Sequence, residues 1–191
     1  MIKGKVILIP SATFKAELQA AADRIRNQAE VCKVGANAVA NKLKSHFRDL
    51  NQRPNEEGWK KSDFWAQIRD SVQVLTDGNA GVVQINDPRI NLKIFGGTVT
   101  AKTAKALAIP LHEEYKGVLP STFPRDKFFF LPDQSGKNVG VLAEALGDHT
   151  IRAAYLLRKS TTHQPQADAL PPMDELREIA VGAMKRYIER K

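Results

Sequence analysis

Residues 95–111, FGGTVTAKTAKALAIPL, constrain the fold more than any other part of the sequence, because they join a backbone device to patterned strand. Gly96-Gly97 permits positive φ or a close backbone approach that a Cβ forbids, so a reversal or bulge is expected there. Before the pair, Ile90, Leu92 and Ile94 alternate with Asn91 and Lys93 up to Phe95 and read as an extended run. After it, Thr98, Val99 and Thr100 favour a second extended piece. Lys105 to Leu111 reads as a further strand, stopped where Pro110 has no amide to donate. Phe95, Gly96 and Gly97 are therefore read as an architectural turn, and a sheet is expected to begin here.

Upstream the period is helical. Phe14, Leu18, Ala21, Ile25, Ala29, Cys32, Ala36, Val39, Leu43 and Phe47 recur at steps of three and four, one stripe of a long amphipathic helix. Ser11 or Thr13 is placed to cap its start, and Gly35, which costs up to about 1 kcal/mol relative to Ala inside a helix, marks a kink or a break. The alanine-rich stripe suits close packing, either across the chain's own sheet or in part against another subunit. Residues 49–61 read as a polar loop flanked by Trp59 and Trp65. Trp65 is read as a core anchor, while Trp59, beside Lys60 and Lys61, fits either the core or an interface. Phe64, Trp65, Ile68 and Val72 open a short helix or a strand entry.

The period then changes to two. Ser71–Leu75 and Val82–Ile85 flank Asp77-Gly78-Asn79-Ala80-Gly81, which fits a hairpin loop of three to five residues, and Asp87-Pro88 makes a further turn. Three apolar runs follow, Lys127–Leu131, Val139–Leu146 and Ala153–Arg158, with turns at Gly136-Lys137-Asn138 and Gly147-Asp148-His149. The longest connection, His112 to Arg125, holds Tyr115 and Pro120 to Pro124 and is a candidate contact loop that orders on assembly. From Met173 the chain is helical again, with Leu176, Ile179, Ala180, Ala183 and Tyr187 on one face. Asp174, Glu175 and Glu178 stand early in this helix and Lys185, Arg186, Arg190 and Lys191 late, an order that complements its dipole. The expected fold class is α+β: a long N-terminal helix packed on a mainly antiparallel β-sheet, with a C-terminal amphipathic helix, all in one domain spanning 1–191.

At 191 residues and 42% hydrophobic content the chain is long enough to bury a full core. No apolar run approaches the roughly 20 residues of a membrane helix, and Val6-Ile7-Leu8-Ile9 is too short for a signal-peptide core, so a soluble, intracellular protein is expected. The one cysteine, Cys32, excludes an internal disulfide framework and reads as a small buried hydrophobe. The net charge of +8 raises a polyanionic partner as the alternative reading, a basic module contacting the phosphate backbone of nucleic acid. Along the first helix, however, Lys15, Arg24, Arg26, Lys33, Lys42, Lys44 and Arg48 are interspersed with Glu17, Asp23, Glu30 and Asp49, with no block of like charge, as on a solvated face.

No constellation for catalysis, cofactor or metal stands out. His46, His112, His149 and His163 are isolated, and HExxH, CxxC, nucleophile-elbow, Rossmann and P-loop patterns do not occur. Glu56-Glu57 and Glu113-Glu114 are adjacent in polar loops, where neighbouring side chains point apart, and Ser160-Thr161-Thr162-His163 ends a strand without an orienting carboxylate. No catalytic residue, metal site or cofactor is therefore expected.

The glycine pair, the lysine-bearing turn and the AKALAIPL strand resemble the phage virion morphogenesis family, the tail-completion or neck proteins of Mu-like phages and prophages. Arg53-Pro54-Asn55 with Gly58-Trp59 and Phe64-Trp65, then Tyr155-Leu156-Leu157-Arg158-Lys159-Ser160, then Leu170-Pro171 before a terminal helix, agree in order, so the resemblance reaches from about residue 40 to the C-terminus. In the family's usual form a His or Gln stands just upstream of the glycine pair; here Lys93-Ile94-Phe95 takes that place. The resemblance implies a non-enzymatic structural role in virion assembly at the tail end or head–tail junction. It also implies a homo-oligomeric ring, with a hexamer preferred, contacts to other tail or neck proteins, and residence in the host cytoplasm during assembly or in the virion. Trp59, Lys102, Lys105 and Tyr115 are the candidate interface residues on this view, although exposed lysines such as Lys102 and Lys105 are more often simply solvated.

Overall fold

The computed structural model describes residues 12–54, 58–147 and 149–190. Val6 to Ile9, the cap candidate Ser11, Asn55, Glu56, Glu57, Asp148 and Lys191 lie outside the described residues. Contacts fall into two compact units, one made of 1–53, 62–88 and 170–191, the other of 54–61 and 89–169. The class is α+β, with a long N-terminal helix, antiparallel sheets and a C-terminal helix.

In the first unit the N-terminal stripe forms two helices, α1 (Ala12–Arg26) and α2 (Gln28–Gln52). The break falls at Asn27, not at Gly35. Asn27 leaves helical geometry at φ −85° and ψ 67°, and its side-chain oxygen accepts from Glu30 N–H at 3.3 Å, satisfying an amide that a helix start leaves free. Thr13 sits inside α1 and does not cap it. Gly35 is buried within α2 because α5 (Met173–Ile188) approaches closely there: a Cβ at Gly35 would overlap the Met184 side chain.

Around α2 lie α3 (Phe64–Asp70), α5 and an antiparallel hairpin of β1 (Val72–Asp77) and β2 (Ala80–Ile85). Ala36, Ala40, Leu43, Phe47 and Leu50 of α2, Ile68 of α3, Val72 of β1, and Leu176 and Ala183 of α5 form the core. Trp65 stacks on Phe47 with ring centroids 5.7 Å apart, an anchoring position of the kind its sequence context suggests. Small residues let backbones meet: a Cβ at Gly81 would lie 2.7 Å from the Cys32 carbonyl carbon and 2.9 Å from Ala36 Cβ. The hairpin is tighter than its two glycines imply. Asp77 pairs with Ala80, so the loop is Gly78-Asn79 alone, with φ +56° at Gly78 as a first central residue of a II′-type turn requires.

Ion pairing and helix ends complete the unit. Lys42 meets Glu175 in the first turn of α5 at 2.5 Å. Arg24 donates to the Ile188 carbonyl at 3.1 Å and also to that of Arg190, joining α1 to the negative end of α5.

The second unit carries the sheet. Residues Ile90–Phe95, expected as extended, instead form the short helix α4. Over six residues alternation cannot be told from helical spacing: Ile90 and Ile94 are also four apart and share one helical face, and Ile90 is buried. Gly96 ends α4 at φ +66° and ψ −164°, and Gly97 follows at φ +141°, turning the chain into β3 (Gly97–Thr100). β4 (Leu107–Pro110), β5 (Phe129–Pro132), β6 (Gly140–Leu146) and β7 (Thr150–Arg158) form a four-stranded antiparallel sheet in the order β4-β7-β6-β5. Residues 160–163, expected to be a strand end running into a tail, are a strand of their own: β8 (Ser160–His163) pairs with β3, with Thr98 and Thr162 hydroxyls 3.0 Å apart.

The connection at 112–125 is not an open loop. It holds two 3₁₀ turns, Glu113–Tyr115 and Pro120–Thr122, and is pinned to the sheet by aromatic rings.

Candidate functional site: an open sheet braced by a buried ionic cluster

Cross-strand register sorts the sheet residues onto two faces, since directly paired residues project to the same side. One face carries Pro110, Tyr155, Leu142 and Phe130 in one row and Ala108, Leu157, Gly140 and Pro132 in the next. Tyr115 covers this face, with its ring 5.1 Å from Tyr155, 5.7 Å from Phe128 and 5.9 Å from Phe123. Phe128 and Tyr155 meet edge to face at 5.6 Å, and Tyr155 donates its hydroxyl to the Val118 carbonyl at 3.0 Å. Rings at such angles interlock a loop with a sheet more firmly than their area alone implies.

Next to the rings lies Glu144 on β6, 1% exposed and directly paired with Arg152 on β7. Arg152 Nε donates to Glu144 Oε1 at 2.8 Å, and its Nη2 reaches the Tyr115 hydroxyl at 3.0 Å, Glu144 and Glu114. Tyr115 donates its hydroxyl to the same Glu144 oxygen. Lys127 Nζ sits 2.6 Å from Oε2, an ion pair rather than a well-aligned hydrogen bond. Burial pushes the Glu144 carboxyl up, but Lys127, Tyr115 and Arg152 outweigh it and hold the group at about 2, so it is charged at neutral pH. Burial, reinforced by the hydrogen bond to that carboxylate, pushes the Tyr115 hydroxyl up to about 12. Hydrogen bonding to Glu144 raises Arg152.

Every member of this cluster is matched by an opposite charge or a hydrogen bond. Its chemistry is that of a brace: the carboxylate of β6 holds β7 through Arg152 and the covering segment through Tyr115 and Lys127.

The candidate residues divide. Tyr115 is 3% exposed, so its ring fills the core of this unit and does not present a contact surface; this corrects its expected place at an interface. Trp59 is half-buried with Lys116 Nζ 5.9 Å from its ring centroid, while Lys116 donates to the Lys60 carbonyl at 2.8 Å and Lys60 N–H to Glu113 at 2.6 Å. Lys102 and Lys105 are exposed between β3 and β4. Phe95 is 73% exposed beside the turn, and Gly96 is held tightly: a Cβ there would lie 2.7 Å from the His163 carbonyl oxygen and 2.8 Å from Pro165 Cδ.

Sequence reasoning did not single out Glu144, Arg152 or Lys127. The signal was present, a lone carboxylate within the apolar run of β6 and a guanidinium, Arg152, between Ile151 and Ala153 of β7, where an unpaired charge would be costly. It also passed over β5 as a surface. Phe129, Phe130 and Leu131 are three successive large apolar residues, all exposed, on an edge strand.

Compared with protein-family models, with curated proteins and with solved structures, the chain gives no match. Among the described residues no three His, Cys, Asp or Glu side chains gather to hold a metal ion, and no helix is long and apolar enough to cross a membrane.

Proposed function

We propose that the chain is a structural protein of phage virion assembly, acting at the tail end or head–tail junction as a homo-oligomeric ring of six copies that contacts neighbouring tail or neck proteins. One observation carries the reading. The stretch that resembles the virion morphogenesis family, Phe95 to Leu111, supplies β3 and the edge strand β4, and the opposite edge of that sheet is the exposed apolar strand β5. Free edges and apolar strips are what a protein uses to bind copies of itself in head-to-tail contacts that close on rotation. The buried cluster around Glu144 supports the same reading, since it stiffens the sheet on which such contacts would be built.

Class averages of negatively stained protein test this: rings of uniform size are expected, and isolated single subunits would overturn it. The charge of +8 defines the competing outcome, in which duplex DNA is retained by the pure protein at low salt and released steeply as salt rises. During assembly the protein would reside in the host cytoplasm, and immunogold labelling of purified particles would tell whether it stays in the finished virion.

A further inference from the structure

Among the described residues, the four-stranded sheet has two free edges that complement each other. β4 and β5 have four residues each, and because the sheet has an even number of antiparallel strands its two edges run in opposite directions. The phase of the hydrogen bonds tells which backbone groups each edge leaves open. Leu111 N–H donates to the Ala154 carbonyl at 2.9 Å, so by the two-residue alternation of an antiparallel ladder Ile109 and Leu107 also turn toward β7 while Ala108 and Pro110 turn outward. At the other edge Asp133 N–H reaches the Val139 carbonyl at 3.4 Å, and the Leu131 carbonyl crowds Gly140 of β6. Leu131 and Phe129 therefore turn toward β6, and Phe130 and Pro132 outward. Each edge thus offers one residue with both amide and carbonyl open, Ala108 or Phe130, next to a proline with no donor to offer.

We infer that the β5 edge of one copy pairs with the β4 edge of the next, so that the sheet runs on across each junction of the ring; the inference rests on the homo-oligomeric reading above. Only one pairing uses both open residues. With Phe130 opposite Ala108, their amides and carbonyls exchange two hydrogen bonds, and the prolines end the register on either side. The side chains then match along the whole junction: the Phe130 ring, 51% exposed, lies beside the Ala108 methyl, Phe129 beside Ile109, and Leu131 beside Leu107. The occupant is a second copy of this chain because each edge supplies the strand direction, length and apolar partners that the other lacks. Pairing β5 with itself would instead set two Phe130 rings together in a closed dimer and leave β4 open.

Two single-cysteine proteins, Ala108→Cys and Phe130→Cys, each made with Cys32→Ser, test the junction. Facing residues of a hydrogen-bonded pair lie about 5.5 Å apart at Cα, within disulfide reach. The mixture, mildly oxidised, is expected to give a disulfide-linked dimer on a non-reducing gel that neither protein gives alone. Ala108→Pro removes an outward amide but no bond to β7, and is expected to lower the mass in solution to that of a monomer; the cross-link decides the matter if that variant does not fold. Self-linking of Phe130→Cys would overturn the junction in favour of a closed dimer. Wild-type oligomers that show no 108–130 link would overturn the junction and leave the oligomeric reading standing, whereas a wild-type monomer would overturn both.

Discussion

Replacing Glu144 by Gln keeps the shape of the buried side chain and removes its charge, which separates the ionic brace from simple packing. In the native cluster the carboxylate accepts from Arg152 and Tyr115 and pairs with Lys127, while its own side chain is out of reach of water. Removing one partner of a fully buried pair costs roughly 3–5 kcal/mol because the other charge is stranded. Here the Lys127 and Arg152 side chains are 41% and 32% exposed and rehydrate, so the loss is closer to one charge-assisted hydrogen bond, about 2 kcal/mol. For a chain of this length that lowers the melting temperature by roughly 4–8 °C at pH 7. The pH dependence carries the sharper test. The folded carboxyl titrates at about 2 against an ordinary 4.5, so between these values the unfolded chain takes up a proton that the folded chain refuses. Stability from this group is complete above 4.5 and is lost as pH falls toward 2. The difference in melting temperature between wild type and Glu144→Gln should therefore be constant from pH 7 to about 5 and close progressively below 4.5. Equal melting at pH 7, or a gap that persists undiminished at pH 2.5, would refute the brace.

Three further changes probe the scaffold. Gly81→Ala places a methyl against the Cys32 carbonyl, which is backbone and cannot rotate away, so thermal denaturation should show a loss of about 1–3 kcal/mol; an unchanged midpoint would mean that the hairpin and α2 separate freely. Gly96→Ala meets both a positive φ and the His163 carbonyl, and about 1–3 kcal/mol of strain is expected in the same assay; Gly97→Val puts a β-branched residue at φ +141°, backbone that L side chains rarely adopt, and a loss of about 1–3 kcal/mol is expected there as well. Asn27→Ala removes the cap of α2 and should cost about 1 kcal/mol, read as a lower denaturant midpoint.

How far the sequence spoke depends on the length of the signal. The helical stripe from Leu18 to Phe47 and the terminal helix after Met173 repeat over several turns and were legible, as was the strand ending at Pro110. The break at Asn27 was not, because a capping side chain interrupts a helix without disturbing its apolar period, whereas Gly35 looks like a breaker and serves as a contact point for Met184. Ile90 to Phe95 offered six residues that satisfy both periods, and only the burial of Ile90 and the turn at Gly96 choose the helix. Ser160 to His163 lacks apolar alternation and becomes a strand by pairing with β3, a partner 60 to 66 residues away. Separation in sequence hid the brace too: Tyr115, Lys127, Glu144 and Arg152, spread over 37 residues, converge only once the sheet is assembled.

The central claim is that this chain exists to present surfaces to copies of itself. Native mass spectrometry of the 191-residue chain at micromolar concentration measures that without any partner or label. Six-fold multiples of the 21.2 kDa chain are predicted; a spectrum holding only the single-chain mass at every concentration would contradict the account.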